Sequence, residues 1–448
     1  MHRNYLSTLI HGLLVLWVLS FAEPTAAATY YVRASGSDDN DGLSPARAFA
    51  TITRGASVAG EGVSVIVGPG RYAEGDIRPR GTGRRVEPIL FLADRLGKFT
   101  GDEPGNVIVD ASGFENGFKL SGERQWVIVN GFTVTAADQD GVFVKDLSDS
   151  CVITNCVVFS NGGRGIFVRD SADVVVFNNL VYANGGTGIE FEGEGEPERP
   201  EEASPRGIVI NNTVYGNGVD VYAASFDGLR IEGAPPSEEM TVLHNVIADN
   251  RGIGVNLKEG SKTGFVGQWN LVNGNGAGGY KTLDVARGSL DFSSGPLLVQ
   301  PAGLDNALGG SGYQDDDFRL AQASTGDGEE SPAVDASAIK AKVLGLQHAS
   351  TGGDGVRDRG AVDLGFHSGN TTDFVSKLRK IKRELVCRVQ KSFPKRVRRL
   401  RDEAMRCEEK VATARVQWRS GRGPCLEKSS RVRLARRCGS AVYDVCQP

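Results

Sequence analysis

Short apolar segments separated by glycine and asparagine recur along the middle of the chain at nearly regular intervals. The segments "VIVNGFTV", "VITNCVVF", "VFNNLVYA", "VINNTVYG", "LHNVIA" and "QWNLVN" have the composition of β-strands, and each centres on an asparagine. These asparagines are 24 to 33 residues apart: Asn130, Asn155, Asn179, Asn212, Asn245 and Asn270. A repeat of this length cannot bury its apolar face alone, so the pattern predicts a β-solenoid in which successive units stack.

A second motif alternates with the first and adds another strand to each unit. Glycine precedes an alternating strand in "DGVFVKD", "RGIFVRD", "TGIEFEG", "DGLRIEG" and "RGIGVNL". We therefore predict an all-β, single-stranded right-handed parallel β-helix with three strands per coil. In this fold like side chains stack about 4.8 Å apart. The asparagine at the bend between the second and third strands tolerates a left-handed backbone, and its amide can bond the amides above and below.

The second strand of each coil is apolar on both faces. Two sets of positions are expected to point inward: Val127, Val152, Val176, Val209 and Val242 in the second strand, and Phe132, Val157, Val181, Val214, Ile247 and Val272 in the third. The outward positions of the second strand are also apolar: Ile128, Ile153, Phe177, Ile210 and Leu243. A sheet that is apolar on both faces is normally covered on both. Another part of the chain should therefore pack on the second sheet.

The two ends of the chain differ in character from these repeats. Residues 1–28 combine an early Arg3, an apolar run and small residues at Ala26 and Ala28, which is typical of a secretory signal peptide. We therefore expect a secreted or extracytoplasmic protein with no transmembrane segment, in a compartment whose oxidising conditions allow the seven cysteines to pair. Ser44 and Pro45 predict the start of a short capping helix that buries Phe49, Ile52 and Ala56.

Residues 371–448 form a basic region with five of the seven cysteines. They contain 22 Lys and Arg against 8 Asp and Glu, a net charge of +14, which leaves −18 in residues 1–370. Helical periodicity predicts three basic helices here. Two interpretations compete: a disulfide-linked helical hairpin packed on the apolar outer face of the second sheet, or an independent module that binds an anionic surface. Export argues against nucleic acid as the partner, and we expect a monomer.

Residues 29–370 form the predicted β-helix domain, and motifs at its ends resemble a known family. "YYV…GSDDNDG…SPARAFATI" with "VGPGRY" occupies Tyr30 to Tyr72, and "DFRLAQASTGDGEESPAVDAS…DRGAVDLGF" occupies Asp317 to Phe366. They resemble the ends of secreted bacterial β-helix proteins of the pectate-lyase-like superfamily. The resemblance implies the fold, and a function among polysaccharide lyases, glycoside hydrolases, epimerases and proteins without known activity. The acidic "GSDDNDG" also resembles part of a calcium loop, although a turn before a helix needs the same residues.

The resemblance implies that the functional surface is the outer face of the first sheet. Outward positions follow by alternation after each glycine. Two residues after the glycine come Phe143, Phe167, Glu190, Arg230 and Gly254, and four residues after it come Lys145, Arg169, Glu192, Glu232 and Asn256. Two long insertions, residues 193–206 and 217–227, are expected to form the walls of this groove.

Two kinds of chemistry fit these residues. β-Elimination on a uronic acid needs its carboxylate neutralised by Ca²⁺ or arginine, and a base such as Lys145 or Arg169. Hydrolysis instead needs two carboxylates about 5 to 10 Å apart, which Glu190, Glu192 and Glu232 could supply. The same charges could also simply pair across strands without any substrate.

These patterns leave two functions open. The first is a polysaccharide lyase-like protein that binds and cleaves or modifies a glycan, with Phe143, Phe167, Arg230 and Asn256 as binding residues and calcium as a candidate cofactor. The second is a non-catalytic protein that binds glycan or the cell envelope. No metal cluster is assigned within the groove.

Overall fold

The computed structural model describes residues 28–369, with gaps at 195–202, 221–224, 235–236, 282–287, 289, 353–356 and 359. The predicted signal peptide (except Ala28) and the basic region 371–448 lie outside the described residues. Within them, most of the chain winds through three parallel sheets, with one strand in each sheet per coil. This arrangement confirms the predicted β-helix.

Alternation of side chains and short turns give strands of two to six residues. The first sheet contains β6 (Phe118–Leu120), β9 (Val142–Val144), β12 (Ile166–Arg169), β15 (Ile189–Glu194), β18 (Leu229–Ala234), β21 (Val255–Leu257) and β24 (Tyr280–Lys281). The second contains β1 (Thr29–Val32), β2 (Ser64–Val67), β4 (Ile89–Ala93), β7 (Val127–Asn130), β10 (Val152–Thr154), β13 (Val175–Phe177), β16 (Ile208–Ile210), β19 (Thr241–Leu243) and β22 (Val266–Gln268). The third contains β3 (Gly70–Tyr72), β5 (Val107–Asp110), β8 (Thr133–Thr135), β11 (Val157–Phe159), β14 (Leu180–Tyr182), β17 (Thr213–Tyr215), β20 (Val246–Ala248) and β23 (Leu271–Asn273).

A short helix closes the N-terminal end of the solenoid. Helix α1 (Ile52–Val58) begins after the cap residue Thr51, while Pro45–Arg47 forms a separate 3₁₀ turn. The predicted helix start at Ser44 is therefore wrong, although Phe49, Ile52 and Ala56 are buried as expected. The acidic loop before it serves as a turn: Asp38 accepts the backbone N–H groups of residues 50 and 51, at 2.9 and 3.0 Å.

At the bend between the second and third sheets, one residue adopts the left-handed backbone conformation and the next residue points into the interior. Asn155, Asn178 and Asn211 have left-handed φ angles of 54° to 56°. The next residue faces the interior, where Asn179, Asn212, Asn245 and Asn270 form a buried ladder with Nδ2–Oδ1 distances of 2.9 to 3.0 Å. Each asparagine of this ladder is at most 1% exposed. The amides therefore satisfy one another within the core.

This division corrects the predicted register of two coils. Asn130 lies two positions before the ladder, where Phe132 stands level with Cys156. Thr154 pairs with Asn130 and with Phe177, so Asn155 stacks on Asn178, and Cys156 occupies the position of Asn179. Ile153 consequently points inward and Val152 outward, the reverse of the prediction. Val158 replaces Val157 in the inward stack of the third sheet. The sequence motif misleads here because both adjacent positions favour asparagine.

Residues 296–369, here called the cover segment, pack on the outside of the solenoid. The cover segment contains an antiparallel pair, β25 (Leu298–Gln300) with β26 (Asp317–Leu320), helix α2 (Ala341–Leu344), and a second antiparallel pair, β27 (Ala349–Ser350) with β28 (Ser368–Gly369). Its apolar residues cover the outward side chains of the second sheet, and Tyr313 and Phe318 pack on the aromatic residues of the third.

Hydrogen bonds anchor the cover segment to the bend. Asn178 accepts the His367 backbone N–H at 2.7 Å and donates to its carbonyl at 3.0 Å. Asn211 donates to the Asp363 carbonyl at 2.9 Å. The expectation that another part of the chain packs on this face is met by the cover segment, which precedes the basic region. Of the two interpretations of residues 371–448, packing on this face is therefore not needed to cover it.

Candidate functional site

The outer face of the first sheet carries several charged residues, whereas the outward side chains of the second sheet and the aromatic ones of the third pack against the cover segment. Strand register stacks Phe143 on Phe167, Phe167 on Glu190, and Glu190 on Arg230. Arg230 in turn pairs with Asn256. Asn256 therefore belongs to the first outward column rather than the second, because Gly254, and not Gly252, is equivalent to the glycines before the other strands. Lys258 takes the predicted place of Asn256 beside Glu232.

Phe143 and Phe167 stack as predicted but are surrounded by cations. Their ring centroids are 4.8 Å apart and the planes differ by 6°. Arg169 lies over both rings, at 5.3 and 5.7 Å from the centroids, while Arg164 lies 4.0 Å from the Phe167 ring and the Lys145 ammonium 5.4 Å from the Phe143 ring. The two rings are only 8% and 2% exposed. A sugar could stack on them only if these cationic side chains moved.

Glu190 is a buried carboxylate held between two arginines. It is 2% exposed, and its Oε2 accepts from Arg164 Nε at 3.1 Å. Arg230 Nε lies 3.7 Å from its other oxygen. Ser225 donates a further hydrogen bond to Oε2 at 3.1 Å. Arg164 and Ser225, which the sequence analysis missed, therefore fix the position of Glu190.

Arg230 organises the neighbouring coils through three carboxylates. Besides Glu190, it forms a bidentate pair with Glu232, at 2.6 and 2.8 Å, and contacts Asp227 Oδ2 at 3.2 Å. Asp227 also accepts from Asn256 Nδ2 at 2.6 Å. Bidentate pairs restrict both partners in orientation as well as distance. The predicted cross-strand pairing within a column is therefore found for Glu190 and Arg230, whereas Glu232 pairs with Arg230 of its own strand.

Glu192 differs from the other carboxylates of this face. It is half-buried, and no described cationic side chain lies within ion-pair distance of its carboxylate, although Arg169 pairs with it in strand register. Burial raises the pKa of Glu192, and the nearby Glu190 carboxylate adds to the increase. A carboxyl group with a raised pKa holds its proton to higher pH than a carboxylate paired with arginine, which suits a proton donor.

The ends of both predicted wall insertions contact strand β15. Ser204, from the first insertion, donates to the Glu192 carbonyl at 2.7 Å, and Ser225, from the second, donates to the Glu190 carboxylate. The central parts of both insertions lie outside the described residues. Their described ends thus reach the two edges of the same strand, beside the carboxylates.

Calcium does not fit the described carboxylates of this face. No three acidic or histidine side chains of the first sheet, within the described residues, bring ligand atoms within 4.8 Å of one another. The Arg230 guanidinium occupies the space between Glu190, Asp227 and Glu232, where a cation would need to sit. No step of the mechanism below therefore passes through calcium.

Comparison with known proteins agrees with this architecture. A family model described as right handed beta helix region matches residues 104–198. The strand stacking and this match show the fold of a right-handed parallel β-helix, as the repeat predicts. No match was found among curated proteins. Within the described residues, no helix is long and apolar enough to span a bilayer.

Solved structures with a similar fold have low sequence identity to this chain. XylC in complex with xylose is 13% identical with a TM-score of 0.44, over 56% of this chain and 63% of XylC, so the match spans less than two thirds of that protein. The pectate lyase Pel9A is 16% identical with a TM-score of 0.43, over 75% of this chain and 96% of the lyase. An alginate lyase from Paenibacillus sp. str. FPU-7 is 13% identical with a TM-score of 0.37, over 57% and 99%. These similarities concern the fold alone.

Proposed function

We propose that this protein binds a polysaccharide along the outer face of the first sheet and cleaves or modifies it beside Glu192. The observation that carries the proposal is the contrast between Glu192 and its neighbours. Glu190 and Glu232 are neutralised by arginines, whereas Glu192 has no described ion-pair partner and a raised pKa. Perturbed carboxylates in an otherwise paired network are typical of catalytic groups.

A lyase-like elimination assigns a role to three side chains. Arg169 is permanently charged and neutralises the carboxylate of a bound uronic acid, which stabilises the carbanion formed at C5. Lys145, which can lose its proton where arginine cannot, removes the C5 hydrogen. Glu192 donates its proton to the leaving glycosidic oxygen as the bond to C4 breaks. The electron pair of the C5–H bond becomes the C4–C5 double bond, so one unsaturated chain end forms per cleavage.

The second candidate is a non-catalytic protein that binds glycan or the cell envelope through the same face. The paired network of Glu190, Arg230, Glu232 and Asp227 favours this alternative, because those groups satisfy one another without a substrate. Such a protein would bind glycan with Glu192 as one more polar contact, and its binding would be insensitive to loss of the Glu192 proton.

An assay of the mature protein separates the two candidates. We expect pectate, alginate or a related polyuronate to give an increase in absorbance of unsaturated products, in the presence or absence of Ca²⁺. Glu192→Gln and Lys145→Ala should lower the rate by about 10²-fold or more, the usual contribution of a proton-transfer group. Arg71→Ala is the matched control, because Arg71 pairs with Asp110 on the third sheet, away from this face.

The outcomes are distinct. Glycan retention in affinity gels without any product would support the binding protein instead. Equal rates for Glu192→Gln and Arg71→Ala would remove Glu192 from the mechanism. Neither product nor retention with any polymer would refute both candidates.

A further inference from the structure

A buried cluster in the cover segment is independent of the first sheet and of the function proposed for it. Asp358, Asp363 and His367 are 8%, 6% and 2% exposed. Each offers one ligand atom, and these atoms lie within 4.8 Å of one another. The cluster is the sole such group among the described residues.

The hydrogen bonds of His367 require a positive charge between its ring and Asp358. Nδ1 lies 3.0 Å from the Gly365 carbonyl, which can only accept, so Nδ1 carries a ring hydrogen. Nε2 lies 3.0 Å from Asp358 Oδ2. In a neutral ring, Nε2 would then direct a lone pair at a carboxylate oxygen. A second proton shared by these two atoms, or a metal ion that both contact from one side, would satisfy them.

The cluster places two buried carboxylates beside one imidazole. Asp363 adds a second buried carboxylate to Asp358, and no described Lys or Arg forms an ion pair with either aspartate. A divalent cation held by all three side chains would neutralise both carboxylates in a site that excludes water.

The ligands are also held in position by a surrounding shell. Asp363 accepts from the Asp335 backbone N–H at 2.7 Å and from the Thr351 hydroxyl. Asp358 accepts from the Asp363 N–H at 3.1 Å, and Asn178 fixes the backbone of His367. Hydrogen bonds that orient the ligands, with the far ring nitrogen bonded to a carbonyl, are typical of metal sites.

We propose that Asp358, Asp363 and His367 bind a divalent transition-metal ion of the Zn²⁺ type. One imidazole and two carboxylates suit zinc better than calcium or magnesium, which favour oxygen ligands alone. The ligands belong to the part of the cover segment that bonds to the bend at Asn178 and Asn211. The bound ion therefore links Asp358, Asp363 and His367 in the part of the cover segment that contacts the solenoid.

The test measures zinc binding to the mature protein after removal of metal with EDTA. Thiols are alkylated first, because the five cysteines of residues 371–448 could bind zinc themselves. We expect one equivalent of Zn²⁺ to bind, to raise the unfolding temperature, and to slow hydrogen exchange in residues 357–369. His367→Gln and Asp358→Asn should each weaken binding at least tenfold, while His348→Gln, a control histidine outside the cluster, should not.

Two results would overturn the assignment. One is a metal-free protein whose unfolding temperature and hydrogen exchange do not respond to Zn²⁺, which would leave a proton between His367 and Asp358. The other is zinc binding that His367→Gln and Asp358→Asn leave unchanged. Because Gln and Asn keep a polar side chain at each position, folding of at least one variant is expected, and circular dichroism checks it.

Discussion

Removal of one amide from the buried ladder should destabilise the solenoid strongly. Asn212 is fully buried, and its Oδ1 accepts from the Asn179 backbone N–H at 2.9 Å and from the Asn179 amide at 3.0 Å. Its Nδ2 donates to the Val176 and Ile210 carbonyls and to Asn245 Oδ1, at 3.0 to 3.1 Å. In Asn212→Ala the Asn179 N–H loses its acceptor and the Val176 carbonyl loses a donor. The Asn179 N–H left without an acceptor costs roughly 1–3 kcal/mol, and the other hydrogen bonds lost with the Asn212 amide bring the total to about 2–6 kcal/mol.

This loss is a large fraction of the roughly 5–15 kcal/mol that stabilises a folded domain. Urea denaturation followed by circular dichroism measures it as a shift of the unfolding midpoint. The control is Asn106→Ala, because Asn106 is exposed, and we expect its effect to stay within about 0.5 kcal/mol. Equal midpoints for the two variants would show that the ladder amides contribute no more than surface asparagines, and the reasoning would fail.

Three further predictions concern thiols, one carboxyl group and the basic region. Cys151 and Cys156 are unpaired and buried, and burial raises their pKa values to about 12 and 11. Peptide mapping should therefore find them alkylated only after the protein is unfolded. Alkylation of either thiol in the folded protein would contradict its burial. Because the folded pKa of Glu192 is raised, ionisation of this carboxyl group destabilises the folded protein as pH rises. Glu192→Gln should therefore unfold at a higher temperature than wild type near about pH 8 and at the same temperature near about pH 4. A difference in unfolding temperature that does not change with pH would refute the raised pKa. Deletion of residues 371–448 should not increase binding of an apolar dye, since the cover segment already buries the second sheet; a large increase would restore the original prediction.

The repeat made the solenoid predictable because its two signals come from different positions. Glycine before the first strand is enforced by crowding: a Cβ on Gly165 would lie 2.3 Å from Val181 Cγ1. Asparagine at the bend is enforced by backbone conformation and by the ladder. Such constraints recur in every coil, so they are visible in one sequence.

The register error at Asn155 has a physical origin. The left-handed corner and the interior ladder are adjacent positions, and both favour asparagine. Where both carry it, as at Asn178 and Asn179, the doublet marks the register. In "TNC" the second position holds Cys156, whose backbone N–H donates to Asn179 Oδ1 at 2.9 Å and so ends the ladder. A single asparagine then cannot show which of the two roles it has.

The location of the candidate site was predictable, whereas its detailed contacts were not. Most outward positions of the first sheet beyond Phe143 and Phe167 are charged or polar, whereas the cover segment packs on apolar and aromatic side chains of the other two sheets, because burial of charge would cost more than burial of apolar surface gains. The same preference leaves the first sheet open for a polar ligand. Ser225 and Asp227, however, reach this face from an insertion that has no equivalent in neighbouring coils. Side chains outside the repeat obey no periodicity, so the features that set Glu192 apart from its paired neighbours emerge only from the folded chain.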